Sequence, residues 1–183
     1  TYTGSTTISG GTLRTDVANA IPTHSAVLVN SGATLDLNNH SATVGSISNG
    51  SAGGGTIALG SATLTVGTNN TNTSYSGAIT GTGSFVKTGT GTTTLSNSNN
   101  TYSGGTTVNT GTLAGNTTSL QGNIVVNGVG IVLFNQTAAG TYAGALSGAG
   151  TSTVSGAGVV TLTGNTTGFA GSTIINGTIT IGS

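Results

Sequence analysis

Apolar residues along this chain come in short bursts in which every second position is polar or small. Val27 and Val29 are followed by Leu35 and Leu37 around an outward Asp36, then by Ile57 and Leu59, then by Ala62, Leu64 and Val66. A period of two puts alternate side chains on opposite faces of an extended backbone, so each burst predicts a strand with one buried face. Residues 1–14 read as one strand–turn unit, with Ile8 and Leu13 inward. β-Branched Thr, Val and Ile alternate with Gly, and no apolar stripe returns every 3.6 residues, so helices are not expected. Between the bursts lie breakers. Asn30-Ser31-Gly32 predicts a turn, Gly60 divides two strands, and the polar stretch 38–55, ending in Gly53-Gly54-Gly55, reads as a turn region. Arg14 to His24, with the single proline Pro22, reads as a loop or irregular corner, and Thr68 to Ser74 as an external loop.

The bursts repeat. Thr101-Tyr102-Ser103-Gly104-Gly105-Thr106-Thr107-Val108-Asn109 appears at the start as Thr1-Tyr2-Thr3-Gly4-Ser5-Thr6-Thr7-Ile8-Ser9. It returns near the end as Gly168-Phe169-Ala170-Gly171-Ser172-Thr173-Ile174-Ile175-Asn176. A constant offset of 67 carries Tyr75 onto Tyr142, Gly89 onto Gly156, Leu95 onto Leu162 and Tyr102 onto Phe169. Val29-Asn30 with Leu35 and Leu37 likewise matches Val126-Asn127 with Val132 and Phe134. Equivalent places hold similar aliphatics, which suits coils stacked in parallel with like side chains in columns. The expected architecture is all-β: a right-handed parallel β-helix of about eight coils, at roughly 20–25 residues each, about 40 Å long. Composition does not shift along the chain, so residues 1–183 read as one continuous body with repeat-like units 1–14, 15–114 and 115–183. Asn30 and Asn127, and Asn109 and Asn176, sit at matching turns, where stacked amides can bond along the axis.

Composition narrows the partners. Charged residues make up 2% of the chain, against about 25% in an ordinary globular protein. Arg14 and Lys87 are the only lysine or arginine, so no basic surface exists to neutralise phosphates, and nucleic acid is not an expected partner. No apolar run approaches the ~18 residues that span a bilayer. With no cysteine, there are no disulfides or thiolate metal sites.

Candidate chemistry is sparse. Asp16 and Asp36, the only carboxylate side chains, are separated by close to the length of one coil. Two stacked acids suit glycoside cleavage, but Arg14 beside Asp16 offers the plainer account of an exposed charge cluster. His24 and His40 have no Cys or Glu beside them to complete a metal site and read as loop histidines. Tyr2, Tyr75, Tyr102, Tyr142 and Phe169 recur before glycines at what reads as one repeat position, as structural corner residues rather than sugar platforms. Thr63/Thr65 and Thr161/Thr163 are outward pairs that suit a flat threonine array or, more simply, any exposed strand. Asn-x-Ser/Thr matches such as Asn116 and Asn165 are expected by chance in so Asn/Thr-rich a chain. No residue is assigned as catalytic, cofactor-binding or metal-binding, and no cofactor is expected.

The segment Gly81–Leu113 resembles the autotransporter-associated β-strand repeat. Gly81, Gly83, Phe85 (where Leu is usual), Lys87, Gly89, Gly91, Leu95, Asn100, Tyr102, Gly104, Gly105, Thr106, Val108, Gly111 and Leu113 fall on its pattern. The second copy departs from it, with Ser152 for Phe85 and Val154 for Lys87. The resemblance implies a β-helical passenger displayed outside a Gram-negative bacterium, here a piece of a longer protein without its membrane barrel. The expected role is a non-enzymatic stalk or adhesin segment. A self-assembling filament subunit that stacks head to tail and a polysaccharide-binding or polysaccharide-cleaving β-helix are the alternatives. Expected partners are the chain itself or surface glycans.

Overall fold

A computed structural model describes residues 2–182; Thr1 and Ser183 lie outside the described residues. The described chain is all strand. The first turns contain β1 (Thr6–Ile8), β2 (Gly11–Arg14), β3 (Ala26–Val29), β4 (Ala33–Asp36), β5 (Ala42–Val44), β6 (Ser46–Ser48), β7 (Thr56–Ala58) and β8 (Thr63–Val66). Next come β9 (Thr73–Tyr75), β10 (Ala78–Thr80), β11 (Ser84–Lys87), β12 (Thr92–Leu95) and two long strands, β13 (Thr106–Gly115) and β14 (Ile124–Asn135). The chain closes with β15 (Gly140–Tyr142), β16 (Leu146–Ser147), β17 (Thr151–Ser155), β18 (Val159–Leu162), β19 (Ser172–Ile175) and β20 (Thr178–Ile181).

Every strand pairs in parallel with the strand one turn away. Thr6 lies beside Val27, Leu35 beside Ile57, Leu64 beside Phe85, and Ser152 beside Thr173. The step per turn varies. It is short from Thr106 to its partner Ile124 and longer from Thr34 to its partner Thr56. Steps of this size give a β-solenoid of about 9 turns, where the longer step expected from sequence gives about eight.

Parallel stacking puts like on like inside. One column runs Leu13, Leu35, Ile57, Ile79; another runs Val44, Val66, Lys87, Val108, Val126. Apart from the half-buried Leu13, all of these are fully enclosed. Each buried aliphatic contributes about 1.5–3 kcal/mol, and the backbone groups of one turn bond those of the next. The 67-residue offset keeps the step between partners but is not a whole number of turns, since three turns take Thr73 to Val132. Phe85 pairs with Thr106 as Ser152 pairs with Thr173, and Thr73 with Thr93 as Gly140 with Val160. It slips by one residue at the end, where Thr93 meets Leu113 but Val160 meets Ile179.

Two stretches read as turn and loop contain strands. Residues 38–55 hold β5 and β6, with Ala42, Val44 and Ile47 buried, and Thr68–Ser74 runs into β9. Three-residue strands carrying one or two apolar side chains show too little alternation to register alone; the neighbouring turns complete them. Where β13 offers Gly115 to the inward column, Leu120 folds in from the following corner. A Cβ on Gly115 would lie 2.8 Å from Leu120 Cδ2.

Candidate functional site

The charged residues at the surface gather at one corner. β2 and β4 lie in register, so Arg14 stands beside Asp36. Its Nε lies 3.6 Å from Asp16 Oδ1 and 3.9 Å from Asp36 Oδ2. Asn38 knits the group together. It accepts from Arg14 Nη2 at 2.7 Å, donates Nδ2 to Asp16 at 3.2 Å, and donates its backbone N–H to Asp36 at 2.8 Å. A glycosidase needs two carboxylates in different surroundings, one of them apolar. Asp16 and Asp36 share one guanidinium, and the Asp16 side chain is 82% exposed. The geometry is that of a solvated charge cluster.

The histidines stand apart from this group's chemistry. His24 is exposed with Nδ1 3.2 Å from Thr23 Oγ1, and His40 sits on a turn closed by its N–H to Leu37 O. Among the described residues, no three of His, Cys, Asp and Glu come together. The outward threonines stack over short runs, Thr12 on Thr34 and Thr56, and Thr141 on Thr161 and Thr180, while the row beside Thr65 is interrupted by valine: Thr43, Thr65, Val86, Thr107, Val125.

The aromatics fall on two repeat positions, not one. Tyr75 and Tyr142 end β9 and β15, beside Leu95 and Leu162, and donate their hydroxyls to the carbonyls of Gly55 and Gly122. Tyr102 and Phe169 occupy the second position: the N–H after each bonds a carbonyl one turn back, that of Gly81 for Tyr102 and of Gly148 for Phe169. Tyr2 shares that position's side-chain pattern, its hydroxyl meeting Thr6 Oγ1 as the Tyr102 hydroxyl meets Thr106 Oγ1 at 2.9 Å. Sequence merges the two because both read as Tyr or Phe shortly before a glycine. Tyr75, Tyr102 and Tyr142 are buried, so none of these three is a platform for an external sugar.

Lys87 is the unexpected site. Its place in the strand is inward, between Val66 and Val108, and it is fully buried. The ammonium donates to the carbonyls of Thr88 (2.5 Å), Gly89 (2.9 Å) and Thr110 (3.4 Å). Burial lowers its pKa from 10.5 to about 8. Two glycine corners make room: a Cβ on Gly67 or Gly111 would lie 3.1 or 2.9 Å from Nζ. The alternation of Phe85 and Lys87 was the available signal, since a residue two places from a buried Phe shares its face.

A second buried polar residue ties turns together. Asn100 accepts the N–H of Ile79 at 2.9 Å and donates Nδ2 to Ser119 O at 2.8 Å. Amide stacking also occurs, between Asn127 Nδ2 and Asn109 Oδ1 at 2.9 Å, two residues that sequence assigns to different turn pairs. Outside, an uncharged trough of 290 Å³ runs past Thr92, Thr94, Ala114, Asn116, Leu133 and Asn135. It forms because β13 presents the small Ala114 between Thr94 and Leu133. A 220 Å³ hollow beside Ser152 and Phe169 lies where the first copy packs Phe85 against Tyr102.

Comparison with known families places these features. The passenger-associated-transport-repeat matches residues 1–14, 85–114 and 153–181. Comparison with curated proteins and with solved structures gives no match. The matched segments include Lys87, Asn100 and Tyr102 in the middle copy and Phe169 in the last. Matched at its start, middle and end, and folded as a parallel solenoid, the chain carries the repeats of autotransporter passengers.

Proposed function

We propose that this passenger segment is a rigid, non-enzymatic spacer displayed on the outside of a bacterial cell, where it holds neighbouring parts of its protein at a fixed distance. The observation that carries the reading is the unbroken stacking, in which parallel pairing and enclosed inward columns continue from turn to turn. Rigidity follows, because bending a stack of parallel turns opens hydrogen bonds along one whole face. About 9 turns at roughly 4.8 Å each span about 40 Å.

The ladder of turns supplies the test. Three turns lead from Thr73 through Thr93 and Leu113 to Val132, so removing residues 75–133 joins Ser74 to Phe134, which lies three turns on from Tyr75, and deletes three turns. Solution scattering is expected to show a folded rod shorter by roughly 14 Å. A chain that collapses or keeps its length would overturn the spacer reading. Sedimentation of the intact chain as a monomer supports the spacer; a ladder of oligomers favours end-to-end stacking instead. Attachment of beads coated with the chain to host cells would favour an adhesin.

A further inference from the structure

We propose that Asn116 and Asn165 are acceptor sites for a sugar, attached through Nδ2 from a nucleotide-activated donor. Nine asparagines head an Asn-x-Ser/Thr triplet, and the motif alone selects none of them. The geometry does. Transfer needs an accessible side-chain nitrogen and the hydroxyl two residues on held against the same amide. Asn165 Oδ1 accepts both the Thr167 N–H at 2.8 Å and the Thr167 hydroxyl at 2.7 Å. Asn116 Oδ1 accepts the same pair from Thr118, at 3.0 and 2.8 Å. Asn116 Oδ1 also accepts the Ser119 N–H at 2.8 Å; both arrangements lie within four consecutive residues, so a chain that has not yet folded can form them as well.

Tolerance by the fold is the second criterion. Among the described residues neither Nδ2 has a protein partner; Thr118, Asn165 and Thr167 are exposed and Asn116 is half-buried. The other triplets fail one requirement or the other. Asn69 holds Thr71 in the same way, but its Nδ2 donates to Ser46 Oγ at 3.1 Å. The side chains of Asn39, Asn49 and Asn72 accept backbone N–H groups of the next turn, from Ser61, Ser76 and Thr92. Among the described residues, the hydroxyl two residues on from Asn99, Asn135 and Asn176 makes no bond to the amide. In the transfer, Nδ2 bonds to the anomeric carbon of the donor and the bond from that carbon to phosphate oxygen breaks. Nucleoside diphosphate leaves with the electron pair, and one Nδ2 proton passes to a base of the transferase.

The test has two arms. In the first, the folded chain is incubated with uridine diphosphate glucose and a soluble transferase specific for Asn-x-Ser/Thr, then mapped by peptide mass spectrometry. One glucose is expected on each of the Asn116 and Asn165 peptides, with Asn39, Asn49 and Asn72 unmodified. Thr118→Val and Thr167→Val are expected to abolish transfer at their own site while circular dichroism stays unchanged, and Thr→Ser at either position to restore it. In the second, the chain is recovered from the cells that make it, and both peptides are expected to carry a sugar. Equal modification at the braced asparagines, indifference to the valine variants, or bare peptides from the producing cells would each overturn the proposal. The spacer reading is tested by length, not by mass, so either can fail without the other.

Discussion

A lysine in a column of valines shows how a residue's neighbours decide its chemistry. In the unfolded chain Lys87 titrates near 10.5; in the fold burial lowers it to about 8. Between those values the unfolded chain binds more protons, so stability rises with pH across that window, by at most about 3 kcal/mol. Tyr75, Tyr102 and Tyr142 act in the other direction. Burial raises their pKa values above the ordinary 10.0, so above pH 10 the unfolded chain ionises first and stability falls. Urea midpoints are therefore expected to peak between pH 9 and 10, roughly where the two trends cross. Lys87→Met is expected to flatten the rise between pH 8 and 10 and to raise the midpoint at pH 7. Asn100 carries the opposite kind of cost. Asn100→Ala leaves the Ile79 N–H and the Ser119 carbonyl without partners inside the solenoid. Losing both is expected to destabilise the fold by about 2–4 kcal/mol in urea titration.

Corners, more than strands, limit what sequence this solenoid accepts. Gly89 has φ +67 and Gly32 has φ +77, so both incur the left-handed penalty if given a side chain. Their surroundings differ. A Cβ on Gly89 would lie 1.9 Å from Gly67 O, whereas one on Gly32 meets nothing within 4 Å. Gly32→Ala is expected to cost about 1 kcal/mol. Gly89→Ala should cost more than about 3 kcal/mol, because the corner backbones of two turns must part. The comparison of denaturation midpoints separates conformational strain from close approach. Strands show the complementary behaviour. Val27, Val29, Leu35 and Leu37 alternate strongly enough to be read from sequence, and all four are fully buried. β5 and β6 are hidden in a stretch rich in Asn, Ser and Gly, because three residues hold too few apolar positions to show a period.

Over the whole molecule, length is set by counting turns. Since three turns carry the chain from Thr73 to Val132, deletion of residues 75–133 preserves the columns, whereas removing a part-turn would offset every later side chain from its neighbour. A shorter deletion that ends part-way round a turn, residues 75–124, is accordingly expected to lose the cooperative unfolding transition that the whole-turn deletion keeps. The scarcity of charge fits this construction: like charges stacked every turn would repel along the rod, and the surface charges form a single cluster of Arg14, Asp16 and Asp36.

Sequence alone determined the all-β character and the parallel coiling and located the passenger-type repeats, since each is carried by periodicity and by phrases that recur along the chain. It also placed Arg14 with Asp16 and Asp36, because that cluster spans a single step between coils. Only tertiary structure decided that Lys87 points inward onto three carbonyls, that Asn109 stacks on Asn127, and that the aromatics occupy two positions. Each of those depends on which residues meet from one turn to the next, and the step between turns is not constant along the chain. A change of one residue in that step turns a side chain from the inside of the solenoid to the outside.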